Sequence, residues 1–365
     1  MSLDQLAGFA RVKRTIAIIN KEAKRHNRSA SSIVMEMLRL YKKCSFGPNY
    51  YLLAGMASNK MSWQEKCAHI SDKQYHQAMD VLNPVPYRKI TQHKLAEKSF
   101  LKMANIPSSD FLGFLEPIKG FSADGTALTN KPQLIQLLRH QLGKTVCIKI
   151  PEGYGGKGFL AGLVIEENDE IHIKPINDDK ALSIEEVINS YNDVIATEGL
   201  LIESYIEQAS GYSAFNSSSV NTVRTWVLQT GDNIEVIGGY FRMGRSGSLT
   251  DNGDGGGIMC PVDPISGVLG LGLLTSNPFR DELEQHIDNK VQLNGVTLPD
   301  WQQIVSCSCE TLRKLPYTKF AGLDVAMSED GPVIIEVNVT PDKDGAAYGF
   351  IPSNKLLQAA ELVQK

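Results

Sequence analysis

The segment 320–342 holds the residues with the clearest capacity for chemistry. Apolar and polar residues alternate on both sides of a Glu-Asp-Gly loop at residues 329–331, and this period of two is typical of half-buried strands. A three-residue loop that ends in Gly favours a hairpin, because Gly accepts the left-handed conformation that such a loop requires. The predicted register sets Asp324 directly opposite Glu336 on the neighbouring strand.

The same register divides the hairpin into a polar face and an apolar face. Asn338 joins Asp324 and Glu336 on the polar face. Two carboxylates this close repel each other unless a cation lies between them, and oxygen ligands of this kind suit Mg²⁺. The hairpin therefore predicts a magnesium site, although an edge hairpin whose acids only face water would show the same pattern. The opposite face is predicted to be filled by Leu323, Val325, Ile335 and Val337.

A second candidate site follows the predicted strand 145–150. Lys149 stands among apolar neighbours there, and an ammonium group in such surroundings needs an anionic partner. The next loop is rich in glycine, and exposed backbone N–H groups beside a positive charge suit phosphate. The loop lacks the GxxxxGK[ST] pattern, so a flexible hairpin tip is the alternative interpretation. The loop contains four glycines and one lysine, namely Gly153, Gly155, Gly156, Gly158 and Lys157.

Isolated charged residues stand on the predicted elements around these two segments. Lys94 and Lys98 lie one turn apart on a predicted helix over residues 87–107, and such a pair is usually solvated. The Gly-rich stretch 251–258 is predicted to be a loop close to a ligand. Three predicted strands each contribute one charged candidate: Glu203 on 199–206, Arg224 on 217–228 and Arg242 on 235–242.

The composition is that of an ordinary globular protein. The chain has 365 residues, of which 42% are hydrophobic and 21% charged, enough for two or three packed subdomains. Six cysteines form no CxxC pair and seven histidines show no zinc spacing, so we expect free thiols in a reducing cytoplasm. The N-terminus lacks the apolar core of a signal peptide, and no apolar run reaches the roughly 18 residues of a membrane span. A net charge of −4 gives no reason to expect nucleic acid as a partner.

The N-terminal segment differs in charge from the rest of the chain. Residues 1–45 are predicted to be helical and contain ten basic and three acidic residues, a local balance of +7. Such a surface could face anionic lipid headgroups or a polyanionic substrate. The alternative is a solvated helix face beside the apolar residues of this segment, which are Ile16, Ile18, Ile19, Val34, Met37 and Leu38.

Taken together, these segments resemble the ATP-grasp superfamily. SVNTVRTW, FRMGRSG and DNGDGGGI are more narrowly similar to the sugar-transfer-associated ATP-grasp group found among polysaccharide-biosynthesis proteins. The resemblance covers roughly residues 84–350. The motifs that carry it, in the family's order, are HKLAEKSFLKMANIP, CIKI, GYGGKGF, LLIESYI, YFRMG, DNGDGGG and GLDVA…IIEVNVTPD.

The resemblance implies an α+β fold in which two α+β subdomains clamp ATP. A basic, mainly helical segment at residues 1–83 would precede a linker helix and lid subdomain at 84–207. The catalytic subdomain with a closing helix would occupy residues 208–365. ATP-grasp enzymes usually open with a Rossmann-like domain that helps to bind the substrate, and this helical segment departs from that pattern. The resemblance therefore does not identify the substrate.

The resemblance also implies roles for individual residues. The nucleotide phosphates would contact Lys94, Lys149, Gly155, Gly156, Lys157 and Gly158. The adenine amino group would bind Glu203, the purine edge would meet the backbone of Tyr205 and Ile206, and the ribose would lie near Glu207. Two Mg²⁺ ions would be held by Asp324, Glu336 and Asn338, and Arg242 would stabilise the transferred phosphoryl group. The acyl-phosphate pocket would be shaped by Arg224, Asn221, Asn252 and Gly256.

Arg224 has two possible functions at this stage. Its planar guanidinium can grip the carboxylate of an acid substrate through two hydrogen bonds. The alternative is an arginine that pairs with a structural acid in the same sheet.

By the resemblance, the expected chemistry has two steps. ATP phosphorylates a carboxylate to give an acyl phosphate and ADP, and an amine or another nucleophile then displaces phosphate. The expected partners are small carboxylates and amines, the expected cofactors are ATP and Mg²⁺, and a homo-oligomer is left open. Two other functions also stay open, a phosphotransferase acting on a small hydroxyl substrate and a non-catalytic nucleotide-binding module. The retained metal ligands and lysines argue against the module.

Overall fold

A computed structural model describes residues 8–153, 155–251, 256–274 and 280–364. Within these ranges no helix is both long enough and apolar enough to cross a membrane. The helices are α1 (Gly8–Arg25), α2 (Ala30–Cys44), α3 (Pro48–Leu53), α4 (Trp63–Lys66), α5 (Asp72–Leu82), α6 (Lys89–Gln92), α7 (Lys94–Met103), α8 (Lys131–Arg139), α9 (Ile184–Ser190), α10 (Asn192–Thr197), α11 (Ser210–Ser213), α12 (Trp301–Lys314), α13 (Asp344–Tyr348) and α14 (Asn354–Val363).

Two antiparallel sheets form the body of the molecule. The strands of the first sheet are β1 (Phe111–Leu115), β2 (Phe121–Ser122), β3 (Thr145–Lys149), β4 (Leu160–Glu167), β5 (Glu170–Pro175), β6 (Leu182–Ser183) and β7 (Leu200–Ser204). The strands of the second are β8 (Thr222–Thr230), β9 (Asn233–Met243), β10 (Ile258–Val262), β11 (Gly272–Leu274), β12 (Glu282–Leu283), β13 (Phe320–Ser328) and β14 (Gly331–Asn338). The sheet orders are β2-β1-β7-β3-β4-β5-β6 and β12-β11-β10-β9-β8-β13-β14. Mixed helix and sheet confirms the predicted α+β class.

The N-terminal segment is helical because its sequence supplies both caps and a buried stripe. The Ser29 hydroxyl accepts the Ser32 N–H at the start of α2, and Ser71 forms a capping box with Gln74 at the start of α5. The buried positions of α2 recur every three or four residues, as one face of a helix requires: Ile33, Met37, Leu40 and Cys44.

The predicted helix over residues 87–107 is divided in two. His93 adopts an extended backbone conformation between α6 and α7. The N–H of Lys94, the first residue of α7, donates to the carbonyl of Pro151 at 3.0 Å. The break therefore ties the start of α7 to the chain that leaves β3.

Strands β13 and β14 form the predicted hairpin. Asp324 lies opposite Glu336, as the sequence predicts. The loop is one residue shorter than predicted, because Ser328 pairs with Gly331. The register at the acids nevertheless agrees with the prediction, since a β-bulge restores it further along the strands.

The bulge changes which side chain enters the core. It follows Asp324, and it brings Ile335 to the cleft described below, next to Glu336. Ile334 is fully buried in the core instead. The prediction that Ile335 packs on the apolar face with Val337 is therefore wrong, because one inserted residue reverses the side-chain alternation.

Candidate active site

A cleft of about 320 Å³ opens between the two sheets. One wall comes from β3, the loop that follows it and the segment after β7. The other wall comes from β8, β9, β13 and β14. The predicted site residues that line the cleft are Lys94, Lys149, Gly155, Gly156, Lys157, Tyr205, Ile206, Arg224, Arg242, Asp324, Glu336 and Asn338.

The wall of the first sheet contains a buried group of charges, the lysine cluster, made of Lys98, Lys149, Glu203 and Ser109. Lys149 Nζ lies 2.6 Å from Glu203 Oε2, and Lys98 Nζ lies 2.9 Å from Glu203 Oε1. The Ser109 hydroxyl donates to Glu203 Oε2 at 3.0 Å and lies 2.8 Å from Lys98 Nζ. Two ammonium groups share one carboxylate, so the cluster keeps a net positive charge at the edge of the cleft.

Opposing effects set the charge state of this cluster. Burial raises the pKa of Glu203, but the two lysines outweigh it and lower that pKa to about 2. Burial lowers the pKa of Lys149, and the attraction of Glu203 reverses this and raises it above its ordinary value. Glu203 and Lys149 are therefore both charged at neutral pH.

Glu203 lies beneath the cleft wall and does not line the cleft. Its two carboxylate oxygens are occupied by the lysines and Ser109, so the geometry does not support the predicted hydrogen bond from an adenine amino group. The chain after Glu203 does line the cleft, at Tyr205 and Ile206. The Tyr205 N–H donates to the Thr145 carbonyl at 3.1 Å.

The wall of the second sheet contains the arginine cluster, made of Arg224, Arg242, Asp251 and Asp324. Arg224 donates through Nε and Nη2 to the two carboxylate oxygens of Asp324, with the Nη2 contact at 2.7 Å. Arg242 Nη1 lies 3.3 Å and 3.2 Å from the same two oxygens, and Arg242 Nη2 lies 2.6 Å from Asp251 Oδ1. Two guanidinium groups therefore balance two carboxylates.

This arrangement limits what Asp324 can do. Each of its oxygens accepts from both arginines, which uses the roughly four acceptor positions of a carboxylate. Burial raises the pKa of Asp324, and Arg224 and Arg242 outweigh it and lower that pKa below its ordinary value. Of the two functions considered for Arg224, the geometry matches pairing with a structural acid. Its guanidinium N–H groups donate to Asp324 on the adjacent strand β13.

Glu336 and Asn338 face the cleft more openly. Glu336 Oε1 lies 4.0 Å from Lys94 Nζ, and its Oε2 lies 3.5 Å from Asn338 Nδ2, so neither contact is tight. Throughout the described ranges, no group of three or more His, Cys, Asp and Glu side chains is arranged to hold a metal ion. Carboxylate and amide oxygens suit Mg²⁺. Glu336 and Asn338 fit such an ion, whereas Asp324 would fit only after Arg242 withdrew.

A further buried acid, Glu97 on α7, lies close to Glu336. One oxygen of Glu97 accepts the backbone N–H of Val337. Burial, followed by repulsion from Glu336, raises the pKa of Glu97 to about 8, against the opposing effects of that hydrogen bond and of the nearby lysines. Glu97 therefore anchors the strand that carries the cleft-facing acid.

The glycine-rich loop borders the cleft between Lys94 and Lys149. Gly155 and Gly156 have φ values of +64° and +72°, in the region that favours glycine. Lys94 Nζ donates to the carbonyl of Gly153, so helix α7 is attached to the start of this loop. Gly158 is not among the cleft-lining residues, and a Cβ atom there would clash with Ile150 at 2.3 Å.

Three further predicted site residues, Asn221, Glu207 and Gly256, are not cleft-lining. Asn221 is fully buried, and its Nδ2 donates to Gln208, Tyr212 and Asn216 at 2.8–3.0 Å, so it holds a turn and does not shape a pocket as predicted. Glu207 is exposed outside the cleft, and Gly256 lies in a turn with φ of +84°. Asn252 lies outside the described residues.

Several residues of the site were not identified from the sequence. Lys98 was interpreted as one of a solvated pair, yet it is buried against Glu203. Glu97, Ser109 and Asp251 were not singled out. The available signal for Asp251 was its position as the first residue of the Gly-rich stretch 251–258, which was predicted to lie near a ligand.

Comparison with known families gives a match over most of the chain. The family model for sugar-transfer-associated ATP-grasp proteins matches residues 76–347. This confirms the resemblance found in the sequence. No curated protein matches the chain significantly.

Solved structures show weaker similarity. N5-carboxyaminoimidazole synthetase from Staphylococcus aureus, complexed with ADP, is 12% identical over 70% of this chain and 46% of its own, with a TM-score of 0.38. Biotin carboxylase from Campylobacter jejuni is 12% identical over 77% of this chain and 48% of its own, with a TM-score of 0.44. D-alanyl-alanine synthetase A from Vibrio cholerae is 9% identical over 76% of this chain and 66% of its own, with a TM-score of 0.45. The chain thus spans about half the length of the first two structures.

Proposed function

The chain belongs to the sugar-transfer-associated ATP-grasp family, and from that premise we propose that it is an ADP-forming ligase that joins a small carboxylate to an amine or another nucleophile. The reaction would pass through an acyl phosphate. The observation that supports the proposal best is the cleft itself, in which a net-positive lysine cluster and a glycine-rich loop face the acidic hairpin.

The nucleotide would lie along the wall of the first sheet. Its phosphates would contact Lys149, Lys94 and the backbone of the loop at residues 155–157, where an anion would balance the excess charge of the lysine cluster. Its purine edge would meet the backbone of Tyr205 and Ile206. Glu203, which lies beneath the cleft wall, would position Lys149 through their ion pair.

Mg²⁺ would be held by Glu336 and Asn338, and by Asp324 if Arg242 moved toward the phosphoryl group. The ion would neutralise charge that develops on the phosphate oxygens. Arg242 borders the cleft, and its cationic group would act on the same charge. Arg224 would position Asp324 rather than grip the acid substrate. The acid would bind beside Arg242, where Val220, Leu249 and Thr250 line the cleft.

The biological setting proposed is the cytoplasm, in the modification of a polysaccharide, an amino sugar or a peptide. All six cysteines are free thiols, which is typical of a reducing compartment. The family's association with sugar transfer supports a saccharide context.

The decisive experiment measures ADP and phosphate release from ATP and Mg²⁺ with a panel of amino acids, uronic acids and amino sugars. We expect release of both products, dependent on an acid and a nucleophile together. ADP release with a phosphorylated product and no free phosphate would instead support the phosphotransferase. Absence of ADP formation throughout the panel, despite ATP binding, would support the non-catalytic module.

A variant tests the metal assignment through ATP binding measured with and without Mg²⁺. Glu336→Gln should weaken Mg²⁺-dependent ATP binding at least about tenfold, because even residues outside the ligand shell typically cost that much. The matched control is Glu170→Gln, an exposed strand glutamate of the first sheet, which should leave binding unchanged. Unchanged binding in Glu336→Gln would contradict the metal assignment and leave the nucleotide assignment standing.

A further inference from the structure

Helices α1 and α2 expose apolar side chains that the fold does not use. Twenty large apolar residues of the described chain are exposed, and six of them lie between residues 12 and 41, each with 41–59% of its surface open. Such a concentration marks an interaction surface, whereas single exposed apolar residues are ordinary. The six residues are Val12, Ile16, Val34, Met35, Leu38 and Tyr41.

In α2 these residues are additional to the buried stripe, whereas in α1 Val12 and Ile16 continue the spacing of the buried Ile19 and Ala23 but stay exposed. Ile18 and Ile19 of α1 and Met37 of α2 pack into the core of the N-terminal segment. Ile16 and Leu38, which the sequence grouped with them, stay exposed. A solvated helix face needs no such residues, so the alternative interpretation of this segment does not explain them.

The acidic and basic side chains of the two helices also differ in exposure. Glu22 and Glu36 are the two acids within residues 8–45. Glu22 is buried, and Glu36 accepts from Arg28, Lys66 and Tyr51 at 2.6–2.9 Å, so both acids are engaged within the fold. We call the exposed side chains of α1 and α2 the outward face of these helices, and among the described residues this set is basic and apolar, without an acid.

The basic residues of this segment differ in their partners. Lys21 and Arg25 of α1 reach Asp281 and Glu282 of the second sheet's margin, at 3.5 Å and 3.1 Å. Other basic residues are exposed and form no ion pair within the described part of the chain, among them Lys13, Lys24, Arg39 and Lys42.

Trp63 extends this face at the end of α2. It is 42% exposed, and the Lys43 ammonium group lies 5.9 Å from its ring centroid. Tryptophan is enriched where a protein meets the boundary between lipid and water.

Charge also distinguishes this end of the molecule from the rest. The whole chain carries −4 and residues 1–45 carry +7, so residues 46–365 carry −11. An anionic surface would attract the helical end and repel the body, which fixes one orientation.

We propose that the outward face of α1 and α2, with Trp63, binds the surface of an anionic lipid bilayer. The helices would lie in the plane of the headgroups, with the cations at the phosphates and the aliphatic side chains at the acyl boundary. Nucleic acid would satisfy the cations but would leave Ile16, Val34 and Leu38 without apolar contact. The combination of exposed aliphatic and unpaired basic residues therefore favours lipid.

The test is co-sedimentation of the full chain with phosphatidylcholine vesicles that contain or lack phosphatidylserine. We expect binding to the phosphatidylserine vesicles, weaker binding at raised salt, and little binding to phosphatidylcholine alone. No binding, or equal binding to both vesicles, would overturn the proposal.

Two pairs of variants separate the apolar and electrostatic contributions. Ile16→Gln with Leu38→Gln should reduce vesicle binding at least about tenfold, and Arg39→Gln with Lys42→Gln by a similar factor. The controls are Met103→Gln and Lys180→Gln, exposed residues on other surfaces, which should bind as the parent does. Because the four replaced side chains are exposed, the melting temperature should not change.

Equal vesicle binding in all variants would overturn the proposal. So would a lipid-free, concentration-dependent dimer that Ile16→Gln with Leu38→Gln abolishes, because the face would then be covered by a second copy of the chain. If the apolar pair lowers the melting temperature, the Arg39 and Lys42 pair decides the question alone.

Discussion

The two walls of the cleft hold buried charges in different ways. In the lysine cluster two ammonium groups share the carboxylate of Glu203, which leaves one positive charge unbalanced beside the cleft. In the arginine cluster two guanidinium groups share Asp324, and Asp251 supplies the second negative charge. One wall is prepared for an anion, whereas the other is balanced and must open before Asp324 can bind anything else.

The clusters also differ in how they can respond when the shared carboxylate is removed. A buried lysine that loses its partner can release its proton, whereas an arginine stays charged. Removing the shared acid should therefore cost more in the arginine cluster than in the lysine cluster. The following predictions test this difference, from the largest expected effect to the smallest.

Asp324→Asn should lower the free energy of unfolding by about 3–5 kcal/mol, the range for breaking a buried ion pair on one side. Arg224 and Arg242 would both stay charged with only Asp251 to balance them. Urea unfolding measures the loss. The control is Asp288→Asn, because Arg245 holds Asp288 at 2.7 Å and 2.8 Å near the surface, where such a pair contributes about 1 kcal/mol or less. Equal losses in the two variants would contradict a special role for burial.

Glu203→Gln should cost less, about 1.5–3 kcal/mol at pH 7, the range for a hydrogen bond to a charged group. The effect should depend on pH. The folded pKa of Glu203, about 2, lies below the ordinary pKa of 4.5 that the carboxyl has in the unfolded chain. Its contribution to stability is therefore complete above pH 4.5 and is lost as the pH falls toward 2.

Urea unfolding of both proteins at a series of acidic pH values tests this dependence. The difference in stability between parent and variant should shrink as the pH falls below about 4.5. Glu185→Gln, which removes an exposed partner of Lys131, should show little change at any pH. A difference that stayed constant down to the acid limit would show that Glu203 contributes by packing and not by charge.

The sequence predicted those features of the site that depend on local pattern. Alternation along β13 and β14 was enough to place Asp324 opposite Glu336, and glycine content was enough to find the loop at residues 155–158. Alternation gave the wrong side for Ile335, because the sequence of an apolar run does not show where a single residue bulges out of the strand pairing.

Partners contributed by distant segments could not be predicted. Lys98 and Ser109 contact Glu203 although about a hundred residues of sequence separate them from it. The local sequence around each of the three residues contains no pattern that predicts this contact. Asn221 was placed in the substrate pocket by the family resemblance, but its side chain is buried away from the cleft that its neighbours Val220 and Thr222 line. These failures concern the direction and the partners of a side chain rather than the element that carries it.

Lys149→Met should weaken ATP binding about tenfold or more, equivalent to about 1.5 kcal/mol for a lost charge-assisted contact. Lys98→Met is the matched control, because Lys98 binds the same carboxylate but does not line the cleft. Calorimetry should show a smaller loss of ATP affinity for Lys98→Met, while both variants lose stability. The opposite order would mean that the unbalanced charge of the cluster resides on Lys98.

The smallest effect is expected in the loop that completes the lysine wall. Gly155 has φ of +64°, and a Cβ atom there would meet no other atom within 4 Å, so Gly155→Ala introduces backbone strain without a clash. Gly143 has φ of +76° and equally open space, but it lies outside the cleft.

Both alanine variants should lose about 1 kcal/mol of stability, because left-handed backbone disfavours a side chain by that amount. Only Gly155→Ala should also weaken ATP binding, by about fivefold, if the left-handed turn is what aims the loop N–H groups at phosphate. Hydrogen exchange should then show that ATP with Mg²⁺ protects residues 155–159 in the parent and less so in Gly155→Ala. Unchanged ATP affinity in Gly155→Ala, together with the expected loss of stability, would assign phosphate binding to the lysine side chains alone and remove the loop from the site.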